Sequence, residues 1–218
     1  MSITLRYNLF MKLFLCSLGI TNKGALQTLF GKPLSKIKCG VIKNPMDLKD
    51  KEKRTFLYTL VDKGFEDFGI KKVDIDLRDY ETRQTELREL ITDLDFLWIT
   101  GGNVFYLREL IKKVKFESIL KKAINTGLVY GGDSAGALIT CPTLKYLDAV
   151  DDTSQISEVI YEGLNIIDFV PLPHWDDGSF KPKLVGIKKG LEREGYKVIT
   201  FGDKQTVVVN NKSIEVVG

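Results

Sequence analysis

Two side chains in this sequence have the type and setting for hydrolytic chemistry: Ser134 and His174. Ser134 lies in Gly132-Asp133-Ser134-Ala135-Gly136, a G-x-S-x-G pattern, with the apolar Leu128-Val129-Tyr130 before it and Ala137-Leu138-Ile139 after it. A strand, a sharp bend and a helix in that order would lift one hydroxyl above a sheet edge, where it can attack a carbonyl carbon. Small residues on both sides let strand and helix approach closely. The N–H groups that open the helix have no partner within it and can hold a developing oxyanion. Asp133 adds a carboxyl directly before the hydroxyl, a group that bears on specificity or on the acid role.

A serine hydroxyl needs a base, and His174 is the one histidine in the chain. It follows the apolar stretch 164–170 and Pro171-Leu172-Pro173, and Trp175 comes next, which favours a fixed orientation in a cleft. A third group should orient the ring and stabilise its charged form. The candidates are Asp148, Asp151 and Asp152 before it, and Asp176 and Asp177 after it. The latter pair is too local to reach round the ring, and Asp177-Gly178 reads as a turn. Asp151 is therefore favoured, with Asp148 as the alternative.

The elements that must position these groups alternate. Strands are expected at 11–17, 38–43, 72–77, 95–100, 128–133, 164–170 and 196–201, with a hairpin over 206–209 and 213–217 across Asn210-Asn211-Lys212. Helices are expected at 21–30, 46–68, 82–92, 103–124 and 180–194; in the second, Phe56, Leu57, Leu60, Val61, Gly64, Phe65 and Phe68 mark the apolar face. Residues 142–159 read as irregular and acidic. This order implies an α/β fold: a doubly wound, mostly parallel sheet with helices on both faces and a C-terminal β-hairpin. Ligands of such sheets sit beyond the carboxyl ends of the strands. Gly101-Gly102-Asn103 follows the apolar strand Phe96-Leu97-Trp98-Ile99, so it is expected to share a cleft with Ser134. A glycine N–H from that loop would complete an oxyanion hole with the N–H of Ala135. The same loop also reads as a strand-to-helix turn with Asn103 as N-cap.

Composition narrows the class. With 218 residues, 44% of them hydrophobic, the chain can bury one sizeable core, so residues 1–218 read as a single domain with 1–10 as an N-terminal extension. The net charge of +3 is scattered in separate lysine pairs, which argues against a nucleic-acid surface. Lys12 interrupts the first apolar run before it reaches the length of a signal-peptide core or a membrane span. Cys16, Cys39 and Cys141 are odd in number and lack metal spacing, which points to reduced thiols, no metal and a cytoplasmic protein.

Together these residues resemble the peptidase E family of serine peptidases, which includes cyanophycinases and shares the class I glutamine amidotransferase-like fold. The resemblance rests on Gly101-Gly102-Asn103-Val104-Phe105, on Gly132-Asp133-Ser134-Ala135-Gly136-Ala137, on Cys141-Pro142-Thr143 and on Pro173-His174 forty residues after the serine. It runs from about Met11 to the C-terminus, where Gln205-Thr206-Val207-Val208-Val209 also fits. It implies Ser134 as nucleophile, His174 as base, Gly102 and Ala135 as the oxyanion hole, and a short peptide as substrate, Asp-X dipeptides included. Asn103 and Asp133 stand as substrate-binding candidates. No cofactor is expected, and the chain is expected to be a monomer or homodimer. Some members carry the acid fifteen residues after the serine, where this chain has Ala149, flanked by Asp148 and Asp151. That departure leaves a second reading, a homologue that binds a peptide or metabolite with little or no turnover. An ordinary α/β-hydrolase esterase is a third, but those folds place the histidine much farther from the serine.

Overall fold

The computed structural model describes residues 11–218; the expected N-terminal extension lies outside the described residues. The strands are β1 (Lys12–Cys16), β2 (Cys39–Ile42), β3 (Lys72–Asp74), β4 (Phe96–Ile99), β5 (Val129–Asp133), β6 (Phe169–Leu172), β7 (Lys197–Thr200), β8 (Thr206–Asn210) and β9 (Ser213–Val217). The helices are α1 (Lys23–Thr28), α2 (Lys51–Asp67), α3 (Gln84–Thr92), α4 (Val104–Lys113), α5 (Phe116–Asn125), α6 (Ala135–Leu138) and α7 (Lys181–Arg193).

Seven strands form one sheet in the order β3-β2-β4-β5-β1-β8-β9. The first five are parallel, and the β8–β9 hairpin adds antiparallel strands beside β1. The central runs are buried at nearly every position because both faces are covered. Alternation then divides them between two cores. Leu13, Leu15, Leu97, Ile99 and Tyr130 pack on one side with residues of α3, α4, α5, α6 and α7. Phe14, Cys16, Phe96, Trp98 and Val129 pack on the other with Leu26 of α1 and Phe65 of α2. The doubly wound sheet and its C-terminal hairpin are thus as the sequence implies.

Four details differ from expectation. The helix expected from residue 46 starts at Lys51, where the Asp50 carboxylate caps it by accepting the Lys53 N–H at 2.8 Å; Asn44–Met46 is a separate 3₁₀ turn. The helix expected over 103–124 breaks at Lys115, which takes φ 55, and becomes α4 and α5. No glycine or proline signals that break. The apolar run 164–170 is irregular at first, with Leu164 and Ile167 buried, and pairs only from Phe169. Finally, β6 and β7 leave the main sheet and pair with each other, in parallel, as a second two-stranded sheet.

Candidate active site

The bend after β5 is built by local packing. Ser134 takes φ 48 and ψ −107, a conformation an L-residue holds only under constraint, at roughly 1–3 kcal/mol. Its N–H donates to the Cys16 carbonyl of β1 at 3.2 Å, and its carbonyl accepts the N–H groups of Ala137 and Leu138 at 3.0 and 2.8 Å. The buried Tyr130 hydroxyl donates to the Gly136 carbonyl at 2.6 Å, tying strand to helix. A Cβ on Gly136 would run into the Ile99 carbonyl, so α6 can lie this close to β4 only with glycine there. The β4 loop meets the bend directly: a Cβ on Gly101 would stand 3.1 Å from that of Ser134. Gly102, at φ 140, follows it and lines the same cleft.

The imidazole comes from the small second sheet. His174 lies just beyond β6, at φ 58, and its Nε2 is 3.1 Å from Ser134 Oγ. Its Nδ1 is 2.7 Å from Oδ1 of Asp203, which lies just beyond the neighbouring strand β7. A carboxylate only accepts, so Nδ1 carries the proton and Nε2 presents its lone pair to the serine. Ser17, fully buried beyond β1, donates to Asp203 Oδ1 at 2.7 Å and accepts the His174 N–H at 2.7 Å. One hydroxyl thus fixes both the strained backbone of His174 and the carboxylate on its ring. Phe180 stacks on the imidazole with centroids 5.4 Å apart.

The favoured acid, Asp151, is not on the ring. Its Oδ2 accepts the Val104 N–H at 2.8 Å, at the start of α4, where the open helix N-terminus attracts a carboxylate. Burial raises its carboxyl above the ordinary range, opposed by that N–H and by Lys49 and His174. Asp148 is exposed on the 3₁₀ turn Leu147–Ala149, and Asp152 accepts from the N–H and hydroxyl of Ser154. Asp177 forms the expected turn with Ser179, whereas Asp176 Oδ1 accepts the Asp203 N–H at 2.8 Å. Asn103 caps α4 by accepting the Tyr106 N–H at 2.9 Å, and its amide donates to the Asp152 carbonyl at 2.6 Å. That side chain is buried and forms the N-cap of α4. Sequence reasoning missed Asp203 and Ser17. The available signal was position: Asp203 follows an apolar strand end just as His174 does, and Ser17 follows β1.

Asp133 lies beneath the bend. Burial pushes its carboxyl up to about 6, against the N–H groups of Gly19 and Gly101, the Trp98 indole N–H at 3.1 Å and the charge of His174. Gly101 turns its N–H to Asp133, and Ala135 opens α6 directly after the serine. The cleft over these groups encloses about 610 Å³ and is lined by Leu18, Met46, Leu57, Leu60, Phe180 and Leu184, among others. Cys16, Cys39 and Cys141 are free and buried, and no described helix is long and apolar enough to cross a membrane.

Comparison with known proteins bears on the family and the fold. The model of Peptidase family S51 matches residues 50–217. An uncharacterized peptidase of Listeria monocytogenes is 33% identical over 134 residues, 60% of this chain and 63% of that protein. Peptidase E of a Nostoc species is 31% identical over 87 residues, 40% of this chain and 35% of that protein. The matched segments thus span less than two thirds of these relatives' own length. Among solved structures, a Listeria monocytogenes protein described as a candidate peptidase E superposes with a TM-score of 0.78 at 26% identity, covering 95% of this chain and 98% of that one. A peptidase from an acI-B1 Actinobacterium, at 17% identity and a TM-score of 0.71, shares the fold.

Proposed function

The chain belongs to Peptidase family S51, and from that premise we propose that it is a serine peptidase that hydrolyses short peptides through an acyl-enzyme on Ser134. The observation that carries this reading is the hydrogen-bonded series Ser134 Oγ, His174 Nε2 at 3.1 Å, and His174 Nδ1 with Asp203 at 2.7 Å. In it Ser134 Oγ attacks the scissile carbonyl carbon while His174 Nε2 takes the hydroxyl proton. The N–H groups of Gly102 and Ala135 hold the oxyanion of the tetrahedral intermediate, an effect worth roughly 3–4 kcal/mol per donor in such chemistry. Collapse breaks the C–N bond, and the leaving amine receives the proton from His174. A water molecule, deprotonated by the same nitrogen, then cleaves the ester and restores the serine. Asp203 keeps the imidazole in the required tautomer and stabilises its charged form. Ser134 is activated here by a complete nucleophile–base–acid series, which favours turnover over binding alone.

A cleft of about 610 Å³ is the size of a ligand of a few residues, which supports short peptides as substrates. Asp-X dipeptides are the substrates the resemblance implies, and they belong in the test beside neutral ones. Purified protein should release free amino acids from at least one member of a dipeptide panel, and a small alkyl fluorophosphonate should add once, at Ser134. Ser134→Ala should abolish both. Full turnover by that variant, or no adduct on protein with an intact fold, overturns the reading.

A further inference from the structure

The apolar stripe of α2 does not all turn to the core. Phe65 is buried, but Leu57, Leu60 and Val61 line the cleft above Ser134. Leu60 is 51% exposed, Leu18 of the same cleft is 59% exposed, and Phe180 beside the imidazole is 36% exposed. Large apolar side chains left in water around one cleft mark a surface that a ligand covers. Charge points the same way. Among the described residues that line the cleft, the carboxyls are Asp133 and Asp151, and Lys49 is the one lysine or arginine. An acidic substrate side chain would therefore bring a third carboxylate to a poorly solvated site with one exposed ammonium. A basic one would find Asp133 already holding the Trp98 indole and two backbone N–H groups, and Asp151 holding Val104.

We infer that the cleft selects peptides carrying an aliphatic or aromatic side chain next to the scissile bond and disfavours an acidic one there. This rests on Ser134 being the nucleophile. The apolar lining of Leu57, Leu60 and Val61 from α2, together with Leu18, takes the side chain, and water leaves both surfaces on binding.

The test uses the whole chain and diphenyl aminophosphonates that differ only in side chain: leucine-like, aspartate-like and lysine-like. The rate of adduct formation at Ser134 is followed by intact mass. The leucine-like probe should react at least about tenfold faster than either of the others. Leu60→Lys, at an exposed helix position, should shrink the ratio of leucine-like to aspartate-like rates several-fold. An aspartate-like or lysine-like probe that matches or beats the leucine-like one overturns the inference and leaves the serine reading intact. So does reaction with a small alkyl fluorophosphonate but with none of the three. Failure of every phosphonate to label Ser134 overturns the serine reading, and the inference falls with it.

Discussion

The two halves of the site are built in different ways. The nucleophile half is local: Tyr130, Ser134, Gly136 and Leu138 fall within nine residues, and their own packing and hydrogen bonds hold the bend. The proton-transfer half is assembled from afar. Ser17, His174 and Asp203 are separated by 157 and 29 residues; the pairing of β6 with β7 brings His174 and Asp203 together, and Ser17, just beyond β1, bonds to both. Strain occurs in both halves, at Ser134 with φ 48 and at His174 with φ 58, but a close-packed helix enforces the first and one hydroxyl the second. A site divided this way should tolerate change unequally. The bend should fail by misfolding, and the imidazole half by losing rate.

The largest effect should come from the group that joins the halves. Ser134→Ala or His174→Ala should each lower kcat/KM by about 10⁴-fold or more, with the circular dichroism spectrum and melting temperature nearly unchanged. Next is the acid: Asp203→Asn should cost about 10³–10⁴-fold in kcat, because the ring loses its tautomer control. Asp151→Asn should stay within about tenfold in kcat and lose no stability in urea at neutral pH, because burial already disfavours the ionised carboxyl and the amide oxygen can still accept the Val104 N–H. The reverse pattern would return the acid role to Asp151.

How much could be read from the sequence follows the same division. G-D-S-A-G with flanking apolar runs gave away the bend, because its causes lie within a few residues of one another. The alternation of strands with helices along the chain gave away a sheet covered on both faces. Asp203 stayed hidden because no local pattern distinguishes a carboxylate after one strand from another; only the pairing of β6 with β7 brings it to His174. Asp151 lies close to the spacing that the resemblance implies, yet the N-terminus of α4 holds it. The apolar face of α2 was visible as a period of three to four, but periodicity does not tell a core from a cleft.

Smaller perturbations sharpen the contrast. Gly136→Ala should destabilise the fold by about 3 kcal/mol, since the Ile99 carbonyl cannot move without disturbing β4. Asp133 should show a signature in pH. Its folded carboxyl titrates near 6, above the ordinary 3.8, so the folded state holds the extra proton and stability falls as pH rises through that interval. Above pH 6 the wild type should carry a penalty of up to about 3 kcal/mol that Asp133→Asn lacks. Urea titrations at pH 4.5 and 7.5 should show the variant gaining on the wild type at the higher pH; an unchanged gap would place the titration elsewhere. Ser17→Ala should be mildest, about a tenfold loss in kcat with about 1–2 kcal/mol of stability, as the His174 N–H loses its acceptor.

The central claim, that Asp203 and Ser134 occupy the two nitrogens of one imidazole, has a direct test because the chain holds a single histidine. Tag-free protein labelled with ¹⁵N only at histidine should give one imidazole spin system, with a proton on Nδ1 that exchanges slowly and resonates far downfield. That proton should persist in Asp151→Asn and vanish or shift sharply in Asp203→Asn. A proton that survives loss of Asp203 and disappears with Asp151 would contradict the account.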